Sequence, residues 1–435
     1  MHVNRRYVKL AWIGLAAASA GLPSPPAAAE IVTPTQGPGL LGVARDGSPR
    51  VAFVSGRDLV LARRAAAGWT FTRLGRVPDA RPVLAGLVVD GRGRSTVLVE
   101  QESGAWLALA RPGRKLRTVA RPRKSASFGP AGLTLDRSGR PAFAYALRLA
   151  NAKTWLRLVT VDARGRLHTH GITKGGFPQS AQVPGAAPVL IGGRLHVVET
   201  YTSAAIDWGP KQGGGWEGQF LFTSLTGTPA GRVGAVAYGR TLWSSWTQLS
   251  GDGITVLLTL SAATQETKIA VDHGIFASLV LDGGRPEVGA SDWVELNGAF
   301  IYAGVLADVG GPFTELDGRL LDYAVAPGGQ RQLLLESAGG LEWFDAPAHP
   351  TIRVSLSADS SGHLNGRVDG ASGGLVQLYR ETGTTRTPVG NVELAADGSF
   401  AYNDAAPTSP TLYRAVYVDP GTNIPYAALL RIPVG

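Results

Sequence analysis

Apolar and polar positions alternate along most of the chain, and at regular intervals a short glycine-containing turn ending in arginine interrupts the alternation. The fullest copy reads Leu133, Leu135, Asp136, Ser138, Gly139, Arg140, Pro141, Phe143, Tyr145. Period-two alternation marks half-buried strands, and Asp with Gly supplies the side-chain hydrogen bond and positive φ of a tight reversal. The unit is a hairpin. It recurs at Val43, Asp46, Gly47, Arg50, Val51, Phe53, again at Leu87, Val89, Asp90, Gly93, Arg94, and again at Leu281, Asp282, Gly284, Arg285, Pro286.

The turn arginines are Arg50, Arg94, Arg140, Arg194, Arg240, Arg285 and Arg331, spaced by 44, 46, 54, 46, 45 and 46 residues. Two more alternating segments usually follow each hairpin, as at 106–110 and 116–120 or 155–161 and 167–172. Four strands at such a period predict one propeller blade per copy, so residues 30–346 are expected to form a seven-bladed β-propeller. The seventh copy is short. Residues 30–38 precede the first copy without a partner, and they are expected to complete the last blade beside 341–344, removing an exposed edge. After a linker at 347–350, short strands at 352–356, 364–368, 375–379, 389–394, 400–402, 412–418 and 427–432 predict an Ig-like β-sandwich over 351–435. The expected fold class is therefore all-β.

On its repeats the chain resembles secreted β-propeller repeat proteins. Gly390 through Phe400 and Leu412-Tyr413-Arg414-Ala415 resemble bacterial Ig-like accessory domains. The resemblance implies architecture alone for the repeats, because the Gly-His and Trp-Asp pairs of WD40 repeats and the Ser-x-Asp-x-Gly-x-Thr-Trp box of sialidases are missing. For the C-terminal segment it implies a spacer, an adhesive module or a wall-proximal stalk.

Composition adds the compartment. Arg5, Arg6 and Lys9 open the chain, an apolar run covers 10–22, and Ala27-Ala28-Ala29 precede Glu30. This is the three-part pattern of a cleaved secretory signal over residues 1–29. Its apolar run falls short of the ~20 residues that span a bilayer. The general secretory route is expected, with twin-arginine export raised by Arg5-Arg6. No membrane span is expected after cleavage, and the mature protein is expected to be an extracellular or cell-surface monomer. There is no cysteine, so thiolate chemistry and disulfides are excluded.

Charge is uneven. Residues 30–128 hold 17 basic and 7 acidic groups. Within 111–124 stand Arg111, Arg114, Lys115 and Arg117, followed by Arg121, Arg123 and Lys124, with no acid among them. Turns joining first to second and third to fourth strands share one face of a propeller. The seven turn arginines should therefore share it with Arg63, Arg64, Arg164, Arg166 and the turn at 111–115. Such a face would attract an anionic wall polymer or acidic glycan; the alternative is a solvated edge that discourages sheet pairing. Nucleic acid is not expected of an exported chain without a recognisable module.

The opposite face is expected to carry the longer loops. The fourth copy contains Asp207, Trp208, Trp216 and Glu217, the fifth Trp246, and the sixth Asp292, Trp293 and Glu295. Indole rings beside carboxylates suit a sugar, the ring packing on C–H faces and the acids accepting hydroxyl protons. The alternative is that the tryptophans pin their own loops. Asp207, Glu217, Asp292 and Glu295 are also the candidates for a glycosidase-like pair, and His168 with His170 could contribute to a metal site that lacks a third ligand. No P-loop, Rossmann fingerprint, nucleophile elbow or Ca²⁺ loop appears, and no cofactor is expected. The leading expectation is an exported, non-catalytic binding or adhesion protein directed at extracellular glycan or wall polymer. The alternative is a carbohydrate-active propeller enzyme acting on extracellular polysaccharide.

Overall fold

The structure, a computed structural model, describes residues 30–432 apart from 78–81, 102–105, 121–126, 150–152, 174–183, 202–203, 224–227, 251–252, 261–262, 270–273, 297, 309–312, 347–350, 360, 362, 372, 383–384 and 405–410. The signal segment 1–29 and the linker 347–350 thus lie outside the described residues. The described residues are all β and contain no helix.

Most of the chain is a succession of antiparallel, mostly four-stranded sheets, each built from consecutive strands. The first comprises Gly39–Val43, Pro49–Ser55, Asp58–Ala65 and Gly68–Arg76. The second comprises Pro82–Val89, Ser95–Gln101, Leu107–Ala110 and Arg117–Ala120. The third runs from Gly132–Leu135 through Pro141–Arg148 and Thr154–Val161 to Leu167–Gly171, with Ser127–Phe128 added beside its second strand. The fourth, fifth, sixth and seventh open with Gly185–Ile191, Thr228–Tyr238, Ile275–Asp282 and Arg319–Val325. These opening strands touch in sequence, and the last, Arg319–Val325, packs back on Gly39–Val43.

The packing explains the sequence pattern. Second strands such as Pro49–Ser55 and Ser95–Gln101 are buried almost end to end, because neighbouring sheets cover both faces. Their near-continuous apolar runs follow from that. Opening strands approach so closely that a Cβ on Gly86 would stand 2.6 Å from Leu133.

Side-chain hydrogen bonds to the backbone staple several sheets to their neighbours. Glu100 of the second sheet accepts from Ala131 N at 3.1 Å. Thr247 of the fifth accepts from Phe276 N of the sixth at 2.8 Å. Ser291 of the sixth donates to Leu320 O of the seventh at 2.8 Å, and Asp322 of the seventh accepts from Leu41 N of the first at 2.9 Å. Burial pushes Glu100 up to about 8, against the opposing pull of the Ala131 bond and the Arg232 charge. Burial pushes Asp322 up to about 6, against Arg232 and its two backbone bonds.

The seventh sheet draws on both ends of the repeat region. Its strands Arg319–Val325, Arg331–Ser337 and Gly340–Ala346 are completed by Glu30–Thr33, with Glu30 opposite Trp343, Ile31 opposite Glu342 and Thr33 opposite Leu341. The pairing is the one expected from the short seventh copy. Arg64 clamps the seam, bonding Glu30 through Nε at 2.9 Å and lying 5.1 Å above the Trp343 ring.

The C-terminal strands form two further layers. Arg353–Ala358, His363–Asp369 and Ser399–Asn403 make one, and the other has the order Pro425–Ile432, Thr411–Val418, Leu375–Thr382, Thr385–Glu393. This second layer is continuous with the sixth sheet, since Leu316 pairs with Tyr426. One apolar core runs through the junction, from Leu320 and Phe344 to Leu378 and Tyr417. An ionic cluster closes it: Arg414 meets Asp317 at 2.7 Å and also bonds Glu381, while Arg386 meets Asp317 at 2.8 Å. A unit bound in this way is not a freely swinging spacer.

Candidate anion-binding site

The site begins with the turn chemistry. Asp90 Oδ1 accepts from Arg92 N and Arg94 N, both at 2.9 Å, and its Oδ2 accepts from Arg94 Nε at 2.7 Å. Asp136 holds Ser138 N and Arg140 N at 2.8 and 2.9 Å, and Asp162 holds Arg164 N and Arg166 N at 2.8 Å each. Gly93, Gly139 and Gly165 take φ values of 74°, 69° and 78°, the left-handed conformation that only glycine adopts without strain. The carboxylates are spent on shaping the turns, and the arginines project from them. The bond from His168, then those from Arg166 and Arg164, hold Asp162 down at about 2.

Turns of the first three sheets enclose a cleft of about 1260 Å³. Nine arginines and one lysine line it, against two acids, Asp90 and Asp162. Both acids are engaged as just described, so the cleft presents a large positive excess.

Its cations are also set against one another. Arg50 and Arg63 stand directly opposite in the first sheet. Arg50 is buried and donates to the Pro49 carbonyl and the Ser48 hydroxyl at 2.9 Å each. Burial first, and Arg63 next, lower its pKa. Arg111 donates from Nε to Thr96 Oγ1 at 3.1 Å, while its Nη2 is buried without a hydrogen-bond partner. Burial lowers its pKa, and the charges of Arg94, Arg114 and Arg117 add to the effect. Arg117 reaches the third sheet and donates to Gly165 O at 3.1 Å. A second depression, lined by Arg73, Arg76, Arg114 and Lys115, adjoins the cleft across the turn that carries Arg114 and Lys115.

Of the basic residues singled out in the sequence, Arg111, Arg114, Lys115 and Arg117 line the cleft, joined by Arg50, Arg63, Arg94, Arg140 and Arg164. Arg121, Arg123 and Lys124 lie outside the described residues. Arg92, a mid-turn residue outside the repeat's arginine position, lines the cleft as well. Two expectations need correction. Arg64 alternates with Arg63 along its strand, so it points away to the closure seam. Arg331 is a buried ion-pair residue, 2.8 Å from Glu287 and 2.5 Å from Asp282, and adds nothing to a charged surface.

The aromatic set is rearranged more thoroughly. The stretch expected as a loop forms two strands, Ala204–Pro210 and Trp216–Thr223, which are the third and fourth strands of the fourth sheet. Trp208 pairs with Val197, midway along Arg194–Tyr201, and Trp293 pairs with Tyr302, three residues before the end of Arg285–Leu296. Both Asp-Trp pairs lie within strands rather than in loops. Asp207 is bound to His196 Nδ1 at 3.0 Å, and Trp208 donates to Glu199 at 2.9 Å. Trp216 packs beside Trp208 on the same apolar cluster. Trp246 is 1% exposed among Val189, Val198 and Leu242, a core residue and no ligand contact. Trp293 packs edge-on to Phe300, and Glu217 and Glu295 are exposed. His168 bonds Asp162 and His170 lies 3.3 Å from Thr160 Oγ1; among the described residues no three potential metal ligands gather.

No protein-family model matches the chain, and no curated protein matches it. Solved structures of similar shape include a polysaccharide lyase, at 8% identity and a TM-score of 0.45 over 76% of this chain and 93% of that one. The Aleuria aurantia lectin bound to Fucα1-6GlcNAc is 12% identical, with a TM-score of 0.39 over 72% of this chain and 97% of its own. Regucalcin from Agrobacterium tumefaciens, described as a calcium-binding protein, is 15% identical, with a TM-score of 0.37 over 62% and 86%.

Proposed function

We propose that this chain is an exported, non-catalytic binding protein, a seven-bladed β-propeller carrying an Ig-like sandwich, whose basic cleft takes an anionic extracellular polymer. The repeat spacing and the circuit of opening-strand contacts support the blade count. The two C-terminal layers, of three and four strands, support the sandwich. The basic opening, apolar run and small-residue site before Glu30 support export.

The observation that carries the binding reading is the cleft itself, where ten cations meet two acids already engaged in turns. Concentrated like charge in a concave site raises the local concentration of counter-ions. It also leaves an unfavourable self-energy that a bound anion would relieve. Retention of the mature protein on a heparin-type resin tests the reading. Reversing Arg114, Lys115 and Arg117 to glutamate is expected to abolish most of the salt-resistant retention. Unchanged retention at unchanged fold would leave only a solvated edge.

A further inference from the structure

We infer that the cleft selects a linear chain of phosphoryl groups over a carboxylated glycan, an assignment that rests on the anion-binding reading and narrows its ligand. Three features point there. Among the described residues none of the cleft-lining side chains is aromatic. A sugar ring has no flat apolar platform to pack on, and single-stranded bases have nothing to stack on, so recognition falls to the ligand's charges. Next, nine of the ten cations are arginine. The planar guanidinium fork engages two oxygens of one oxyanion at once, carboxylate or phosphoryl, which a lysine ammonium cannot do; a phosphoryl chain offers such an oxyanion at every unit with no sugar ring between. Finally, Arg111 is held by Thr96 through Nε while its buried Nη2 lacks a partner. An unmet buried donor is costly, and an oxyanion that drew the guanidinium out towards the cleft would relieve that cost. At about 1260 Å³ the cleft is larger than the ~300–1,000 Å³ of ordinary small-molecule pockets, which suits a chain segment better than a single ion.

The test compares mature protein binding to long-chain inorganic polyphosphate, to polygalacturonate at equal charge concentration, and to orthophosphate, by titration calorimetry at two salt concentrations. The expected result is polyphosphate affinity at least about tenfold above that for polygalacturonate, falling with salt, with orthophosphate far weaker. Arg111→Gln should lower polyphosphate affinity about tenfold, as expected for losing a charged hydrogen-bond pair. Arg111→Lys, which keeps the charge and loses the fork, should lower polyphosphate affinity by less than Arg111→Gln does. Arg114→Gln, at an exposed turn position, serves as a second variant if Arg111 variants fold poorly, and melting of each free variant checks folding. Equal affinity for polygalacturonate, lost equally in Arg111→Gln, would overturn the phosphoryl assignment while keeping the anion site. Orthophosphate binding as tight as polyphosphate would make it a single-ion site and overturn the chain assignment. Binding of none of the three would sink both readings.

Discussion

Arg50 and Arg63 occupy directly opposite positions on adjacent strands of the first sheet, with Arg50 buried and Arg63 exposed. Like charges in this position destabilise a sheet by ~0.2–1 kcal/mol. Arg63→Thr is therefore expected to raise the melting temperature in low salt. The gain should shrink in 1 M salt, where screening acts over about 3 Å. Paired thermal melts at the two salt concentrations check it, and a gain independent of salt would point to strand propensity instead.

Glu100 gives a pH dependence of defined sign. Its carboxyl is pushed from 4.5 up to about 8 in the fold, so between those values the folded state holds a proton that the unfolded chain has released. Stability from this group is complete below the lower value and falls as pH rises towards 8, with a slope of at most about 1.4 kcal/mol per pH unit. Glu100→Gln should remove that slope. Urea denaturation of both proteins between pH 5 and 8 measures it, and parallel curves would count against the shift.

Arg414 is 1% exposed and bonds Asp317 of the sixth sheet and Glu381 of the C-terminal layer. Removing one partner of a buried ionic cluster leaves the others uncompensated, at a cost of about 3–5 kcal/mol. Arg414→Ala should lower the denaturation midpoint accordingly and expose the junction to limited proteolysis. An unchanged midpoint would mean the cluster is solvated.

The closing strand offers a control within itself. Val32 is 2% exposed and Ile31 is 58% exposed on neighbouring, opposite-facing positions. Val32→Asp buries a carboxylate in an apolar site and should cost at least ~2 kcal/mol, whereas Ile31→Asp should stay within about 0.5 kcal/mol. Thermal melts of the two variants distinguish a docked strand from a loosely attached one.

What could be read in advance was what is encoded locally. Asp90, Asp136 and Asp162 declare their turns within four residues, because the bonds that shape each turn are made there. The closure strand was legible because an incomplete copy implies a missing partner. Burial was not legible. Arg331 looks like its repeat siblings, yet its partner Glu287 lies 44 residues back, one repeat earlier, and only that offset could have signalled the pair. Trp246 stands six residues beyond its turn arginine, the position of Ser291 in the next copy, and both are buried. Around Asp207 and Trp208 the glycine run that follows hides the strand on either side; the structure confines the reversal to 211–215.

Joining Glu30 to Trp343 in one sheet also orders events in time. Chain emerging first must wait for chain emerging more than three hundred residues later, and contacts of such separation are made slowly. Until then the seventh sheet offers an unpaired edge, a template for strand exchange between copies. Once the two ends meet, the seam works as a latch. Sheets can come away from either flank only after it parts, so the lifetime of the folded molecule depends on how rarely four residues let go.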